Sequence, residues 1–134
     1  MTSAAPHETP SATAADGTPA VLYICAERTG SSTLATERAT EEGHAFAERH
    51  ALRITVTITD PYGEPVPQKR TGWMRVREMA ERGEAAAAIV RWPNALSPQH
   101  ELRYPELDHL RAHGCRVHFS WAPLAVMTSA EATR

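Results

Sequence analysis

The alternation of apolar runs of strand length with helix-forming segments constrains the fold most strongly. The apolar runs begin near Ala20, Leu52, Ala85 and Cys115, and the segments between them are long enough for crossover connections. Parallel strands require such crossovers. The order strand, helix, strand, helix, strand, helix, strand therefore predicts an α/β domain, with an open, mostly parallel four-stranded sheet and helices on both faces.

A chain of 134 residues suits one domain of this kind. Residues 1–18 are rich in Ser, Thr, Ala and Pro and predict a flexible tail. Residues 19–125 form the predicted α/β domain, and residues 126–134 a frayed C-terminus. Because no apolar run approaches the roughly 20 residues that cross a bilayer, and no secretory signal precedes the domain, we expect a cytoplasmic protein without membrane contact.

The charge balance is unlike that of a typical nucleic-acid-binding protein. The chain has 14 Lys and Arg against 16 Asp and Glu, a net charge of −2. Because Glu8 and Asp16 lie in the predicted tail, the chain from Thr18 onward is neutral. Nucleic-acid-binding domains normally carry a basic stripe or patch, whereas the arginines here are scattered. We expect any DNA binding to be weak.

Three segments follow the carboxyl ends of the predicted strands, where sites in open α/β sheets lie. They are residues 27–33, residues 60–70 and residues 94–99, the last delivered by a buried strand over 85–92. The alternating segment 52–59 predicts a strand at a sheet edge. Helices ending at Gly83 and Gly114 are predicted from helical spacing of apolar residues and a terminal glycine.

These segments carry no complete catalytic or phosphate-binding motif. The first has hydroxyl groups before a helix but lacks the spaced glycines of a dinucleotide fingerprint and the Gly-Lys-Ser/Thr of a P-loop. Ser31, Ser32 and Ser97 are conceivable nucleophiles, but no Gly-x-Ser-x-Gly elbow surrounds them. Capping of the following helix is the expected role of the serines in the first segment.

The histidines and cysteines do not predict a metal site. His109 and His113 stand four residues apart on a predicted helix, but no third ligand accompanies them. Surface or interface positions are expected for both histidines. Cys25 and Cys115 lie in separate strand-like runs, where buried thiols are expected. We predict no metal and no cofactor.

Two parts of the chain carry a family resemblance. Residues 60–84 contain an aspartate, a loop, Arg70-Thr71-Gly72-Trp73 and a helix, similar to a D…SG…RPG segment. Residues 113–117, HGCRV, are similar to an HGV segment that follows a D-R-L-S-R loop and a helix. With these segments, residues 21–121 resemble the catalytic domain of the serine recombinases, the resolvase and invertase family. The resemblance implies a parallel-sheet α/β domain and DNA strand exchange by a serine nucleophile, with arginines on the phosphoryl oxygens.

The positions that match this family's functional residues are mostly changed. They are Tyr23, Cys25, Glu27, Glu64, Arg70, Asn94, Ala95 and Pro98. Cys25 stands where the resemblance implies an arginine, and Glu27 where it implies the serine nucleophile. Asn94-Ala95-Leu96-Ser97-Pro98 replaces the D-R-L-S-R loop, and Glu64-Pro65 replaces the Ser-Gly pair of the D…SG…RPG segment. Only Arg70 keeps the residue type that the family uses in catalysis.

The resemblance and the changed positions together predict a catalytically inactive serine-recombinase-like domain. It would act as a protein interaction or regulatory module, with a protein partner or a second copy of itself. One alternative is a DNA recombinase or nicking enzyme that uses Ser31 or Ser97, supported by Arg28 and Arg70. A small-molecule or nucleotide pocket at the same sheet edge is a further alternative.

Overall fold

A five-stranded sheet forms the centre of the computed structural model, which describes residues 7–10, 17–26 and 34–121. The strands are β1 (His7–Pro10), β2 (Thr18–Ala26), β3 (Leu52–Pro61), β4 (Ala87–Val90) and β5 (Arg116–Phe119). Their order across the sheet is β1-β3-β2-β4-β5. Strands β3, β2, β4 and β5 run parallel, which confirms the predicted four-stranded arrangement, and β1 is antiparallel to β3.

Strand β1 is a difference from the sequence-based expectation, because it lies within the segment predicted as a tail. It pairs with β3 from His7 opposite Thr59 to Pro10 opposite Val56. As a result β3, predicted as an edge strand, has a neighbour on each side. The four residues of β1 include a glutamate and a proline, which sequence patterns do not associate with strands. The predicted frayed C-terminus, residues 126–134, lies outside the described residues.

Helices cover both faces of the sheet, as predicted. They are α1 (Leu34–Arg49), α2 (Thr71–Glu81), α3 (Pro93–Leu96) and α4 (His100–Ala112). Helix α1 packs Ala39 and Phe46 against one face of the sheet, where Leu22 and Ile89 are buried. Helices α2 and α4 cover the opposite face, where their Trp73, Val76 and Leu110 pack around Tyr23 and Val90. No helix in the described ranges has the length and apolar character that a bilayer crossing requires.

Helices α2 and α4 end at the predicted glycines. Gly83 has φ +74° and Gly114 has φ +80°, a left-handed conformation that glycine adopts without a steric penalty. In each case the N–H of the residue after the glycine reaches back to the last turn, with Glu84 donating to Met79 and Cys115 to Leu110. Each helix thus ends where the chain turns toward the next strand, β4 after α2 and β5 after α4.

Two segments predicted as irregular contain regular structure. Asp60 and Pro61 are the last residues of β3, because they continue its pairing with Cys25 and Ala26 of β2. Residues Pro67–Lys69 form a 3₁₀ turn that leads into α2. In the segment predicted as a loop after β4, Pro93–Leu96 form the short helix α3, with Pro93 in the first turn, where its missing N–H costs nothing.

Candidate functional site

The carboxyl ends of β2, β3 and β4 meet at one edge of the sheet, and a pocket of about 310 Å³ opens there. The pocket has an aromatic and small-residue lining with one basic side chain. Its lining residues in the described chain are Tyr23, Ile24, Cys25, Ala26, Ala35, Ala39, Tyr62, Arg91, Trp92, Asn94 and Ala95. Three residues named in the sequence analysis lie outside the described residues. They are Glu27, at the position matched to the nucleophile, and Arg28 and Ser31, which the alternative recombinase function would use.

Asp60 is a buried structural carboxylate at the end of β3. It accepts a hydrogen bond from the Tyr23 hydroxyl at 2.7 Å and from the backbone N–H groups of Gly72 and Trp73, each at 2.9 Å. These two N–H groups belong to the first turn of α2, where a negative charge is favoured by the helix dipole. Asp60 therefore fixes the start of α2 to the carboxyl edge of the sheet.

Gly72 is required by this contact. A Cβ atom at position 72 would lie 2.6 Å from both carboxylate oxygens of Asp60. Such a distance is well inside van der Waals contact, so any larger residue would displace the carboxylate or the helix. The glycine of the Arg70-Thr71-Gly72 segment thus has a packing role rather than a conformational one.

Tyr23 and Cys25 are held neutral beside this carboxylate. Burial raises the pKa of Tyr23 well above its ordinary value, and the neighbouring Cys25 and Asp60 raise it further. Burial is also the main cause that raises the pKa of the Cys25 thiol, and Asp60 adds to it against the opposing effect of Arg70. A neutral thiol therefore occupies the position where the family resemblance implies an arginine.

Arg70 is buried, with 5% exposure, and its guanidinium joins three segments of the edge. Its Nε donates to the carbonyl of Glu64 at 2.7 Å. Its Nη1 donates to the carbonyl of Ala95 at 2.7 Å and to the Tyr23 hydroxyl at 3.3 Å. Four of the matched positions, Tyr23, Glu64, Arg70 and Ala95, are therefore brought into one hydrogen-bonded group. The acceptors from Glu64 and Ala95 are backbone oxygens, so Arg70 fixes the loops in place.

The segment after β4 is held in a similar way. The Ser97 hydroxyl, fully buried, donates to the carbonyl of Pro65 at 2.7 Å and accepts from the N–H of Gln99 at 3.2 Å. Arg103 of α4 donates to the Asn94 side-chain oxygen at 3.2 Å and to the Ser97 carbonyl at 2.8 Å. Pro98, the remaining matched position, is exposed and lies two residues before the start of α4. Among the described residues, the Ser97 hydroxyl contacts backbone groups of Pro65 and Gln99 and not a histidine or carboxylate, so Ser97 acts as a structural residue.

Arg91 is a pocket residue that sequence reasoning missed. Its guanidinium pairs with both carboxylate oxygens of Glu42 on α1, at 2.9 Å and 3.1 Å, and lies 4.4 Å from the centre of the Trp92 ring. Trp92 in turn packs edge-to-face on Trp121. A basic residue at the carboxyl end of a predicted buried strand was the available signal, but its partner lies 49 residues away.

His109 and His113, the two histidines spaced four residues apart, lie at or near the surface of α4. Nε2 of His109 lies 2.7 Å from a carboxylate oxygen of Glu81, and Nδ1 of His113 lies 2.9 Å from the carbonyl of His109. Within the described ranges, no three His, Cys, Asp or Glu side chains are grouped so that they could hold a metal ion. Cys115 is buried, and burial raises the pKa of its thiol to about 11.

In the described part of this edge, the arginines and the serine make their contacts with the protein itself. Arg70, Arg91 and Arg103 each donate to oxygen atoms of the protein itself, and the Ser97 hydroxyl is buried. A serine recombination step needs an accessible hydroxyl and cationic donors directed at a phosphate. The arrangement is instead suited to fixing the three loops against the sheet.

Known structures that resemble this chain identify its fold but not its function. No protein-family model and no curated protein sequence matches the chain. Among solved structures, the C-terminal catalytic domain of ISC1926 TnpA, an IS607-like serine recombinase, matches with a TM-score of 0.67 and 12% identity, over 75% of this chain and 68% of that one. The N-terminal catalytic domain of TP901-1 integrase matches with a TM-score of 0.61 and 16% identity, over 86% and 94%.

A third match is the first open reading frame of transposon ISC1904 from Sulfolobus solfataricus P2. Its TM-score is 0.50 and its identity 21%, over 75% of this chain and 65% of that one. The chain thus spans about two thirds of the length of the ISC1926 TnpA catalytic domain and of the ISC1904 protein. The fold is that of a serine recombinase catalytic domain, as the sequence resemblance predicted, and at these identities the likeness shows the fold alone.

Proposed function

We propose that this chain is a serine-recombinase-like domain that does not exchange DNA strands and acts as a protein interaction or regulatory module. The observation that supports the proposal is the engagement of Arg70, the one matched position that keeps the residue type that the family uses in catalysis. Its guanidinium donates to the carbonyls of Glu64 and Ala95 and to the Tyr23 hydroxyl, and it is almost completely buried. An arginine held in this way is unavailable to a phosphate.

The chemistry of the remaining positions supports the same conclusion. Donors to a developing oxyanion contribute on the order of 3 kcal/mol each, and three matched arginine positions hold Cys25, Ala95 and Pro98 instead. Glu27 stands at the position of the nucleophile, where a carboxylate would repel a DNA phosphate. The neutral charge of the chain from Thr18 onward gives no general attraction for DNA to offset these losses.

The test is a covalent-adduct assay on the full chain. The protein is incubated with supercoiled plasmid and with labelled duplex DNA, and the products are separated under denaturing conditions. The proposal predicts intact plasmid and no slow-migrating protein–DNA species. Nicked plasmid, or an adduct that disappears in Ser31→Ala but persists in Ser32→Ala, would overturn it and establish the alternative of a recombinase or nicking enzyme with a non-standard nucleophile.

A further inference from the structure

Two histidines at the end of α4 have no part in the proposed function. His109 lies in the last turn of α4, and His113 is the residue immediately after the helix. Their spacing of four residues brings the two side chains together on one side of the chain. Their ring centres are 4.7 Å apart. His113 is exposed and the His109 side chain is 26% exposed, so both rings are accessible to solvent.

Each of the two rings has one nitrogen beside a hydrogen-bond acceptor. For His109 this is Nε2, next to the Glu81 carboxylate, and for His113 it is Nδ1, next to the carbonyl of His109. Because a carboxylate and a carbonyl can only accept, these nitrogens carry the proton of each neutral imidazole. The lone pairs are then on Nδ1 of His109 and Nε2 of His113, which have no hydrogen-bond partner within the described ranges. Metal-binding histidines are held in the same way.

The separation of the two rings fits chelation of one metal ion. A Zn–N bond of about 2.0–2.1 Å places the centre of an imidazole ring about 3.2 Å from the metal. Two such rings, at a bond angle between about 90° and about 110°, have centres about 4.5–5.2 Å apart. The observed separation of 4.7 Å lies within this interval, so the two rings need no large rearrangement to share one ion.

The surroundings of the two rings favour a cation. Helix α2 ends at Glu81, which contacts His109, and α4 ends at Ala112, so the C-termini of both helices lie beside the pair. A helix C-terminus carries a partial negative charge, and the Glu81 carboxylate adds a full one. Imidazole nitrogens are suited to zinc, copper and nickel, whereas magnesium and calcium prefer oxygen ligands.

We infer that His109 and His113 chelate one divalent transition-metal ion such as Zn²⁺, and that Glu81 is a positioning residue that orients the His109 ring. Water completes the coordination, because no third His, Cys, Asp or Glu of the described chain is grouped with the pair as a ligand. The spacing of the histidines alone did not predict a metal site, and the placement of the ring nitrogens supplies the missing evidence. This site is separate from the carboxyl edge of the sheet and goes beyond the proposed function.

Isothermal titration calorimetry of the full chain with Zn²⁺ tests the inference. We expect the dissociation constant to rise at least tenfold in His109→Gln and in His113→Gln, because either change leaves a single imidazole. Glu81→Ala should raise it by about tenfold, since losing an outer hydrogen-bond partner usually weakens metal binding by 10–100-fold. The matched control is His100→Gln, exposed at the start of α4, which should bind Zn²⁺ like the unchanged chain.

The electron paramagnetic resonance spectrum of the chain with one equivalent of Cu²⁺ identifies the ligands. Two imidazole nitrogens should couple to the copper in the unchanged chain and in Glu81→Ala, and one in each of His109→Gln and His113→Gln. This readout separates a ligand from a residue that only positions one.

Absence of Zn²⁺ binding up to about 1 mM overturns the inference, and so does an affinity that both histidine variants leave unchanged. If His109→Gln fails to fold, the exposed position of His113 still provides the test. None of these results bears on strand exchange, which the covalent-adduct assay measures separately.

Discussion

Asp60 and Gly72 are in such close contact that replacing Gly72 with alanine should destabilise the protein, the opposite of the usual effect of this substitution in a helix. Within a helix, Gly→Ala is ordinarily stabilising by roughly 0.5–1 kcal/mol. Here the added Cβ would lie 2.6 Å from the Asp60 oxygens. We expect Gly72→Ala to lower the free energy of unfolding by about 1–3 kcal/mol, the usual cost of overpacking, as measured by urea denaturation.

The matched control for this prediction removes the carboxylate. In an Asp60→Ala background the clash is absent, so Gly72→Ala should be neutral or stabilising. The double-mutant cycle should therefore give an interaction free energy between the two substitutions of at least about 1 kcal/mol. Stabilisation by Gly72→Ala in the unchanged chain would show that the contact is not tight.

Glu106 is a buried carboxylate that holds the helical layer together. Its Oε1 accepts from the Trp73 indole N–H at 2.7 Å and lies 3.5 Å from Arg77, and its Oε2 accepts from Gln68 at 2.9 Å. Replacement by an amide turns one acceptor into a donor that faces other donors. We expect Glu106→Gln to reduce the free energy of unfolding by about 2 kcal/mol, measured by urea denaturation.

Glu101→Gln is the control for Glu106→Gln, because Glu101 is exposed on the same helix. Its expected effect is within about 0.5 kcal/mol, as for most surface substitutions. Equal effects of the two variants would contradict the structural role given to Glu106. The signal for that role was present in the sequence, since Leu102, Glu106 and Leu110 follow one another at the spacing of a single helix face.

At the scale of secondary structure, local patterns were sufficient for the strands and helices with strong periodicity. The alternation over 52–59, the apolar runs at β2 and β4, and the glycines after α2 and α4 each report a property of a few neighbouring residues. Strand β1 and helix α3 were missed because neither has such a pattern. Strand β1 exists through its pairing with β3, and α3 is a four-residue turn between β4 and α4.

The sequence predicted where the candidate site lies, but not the contacts between its residues. The topology alone brought residues 60–70 and 94–99 to one edge of the sheet. The pairing of Arg91 with Glu42, and the hydrogen bond from Ser97 to Pro65, join residues 49 and 32 positions apart. No local pattern encodes such contacts, so the engagement of Ser97 and Arg91 with the rest of the protein became visible only in three dimensions.

The contact of α1 with β5 predicts a dependence of stability on pH. Phe46 stacks on His50, with ring centres 4.0 Å apart, and both lie near His118 of β5. Burial, and then the charges of Arg116 and His50, lower the pKa of His118 below its ordinary value of 6.5. The unfolded chain therefore binds this proton more readily. The contribution of His118 to stability is present above about pH 6.5 and is lost as the pH falls through the lowered pKa.

Urea denaturation at about pH 8 and about pH 5.5 measures this contribution. We expect the midpoint of the unchanged chain to fall at the lower pH, and the fall to be smaller in His118→Gln. His44→Gln serves as the control, because His44 is exposed on α1, and it should keep the full pH dependence. A fall of the same size in His118→Gln as in the unchanged chain would contradict the assignment.

At the scale of the whole molecule, the chain combines a serine recombinase fold with a net charge of zero from Thr18 onward, and we expect its DNA binding to be weak. The neutral balance from Thr18 onward and the internal pairing of Arg70, Arg91 and Arg103 both act against phosphate binding. Proteins that neutralise several phosphates lose affinity steeply as salt concentration rises. The strength and salt dependence of DNA binding therefore report directly on whether cations remain available.

The most direct measurement is a fluorescence anisotropy titration of labelled duplex DNA with the full chain, at about 50 mM and about 200 mM salt. We expect no saturable binding in the nanomolar range at either salt concentration, and the same result for Arg91→Ala. A nanomolar complex whose affinity falls by about a thousandfold between the two salt concentrations would contradict it, because such a complex requires several unpaired cations directed at the DNA backbone.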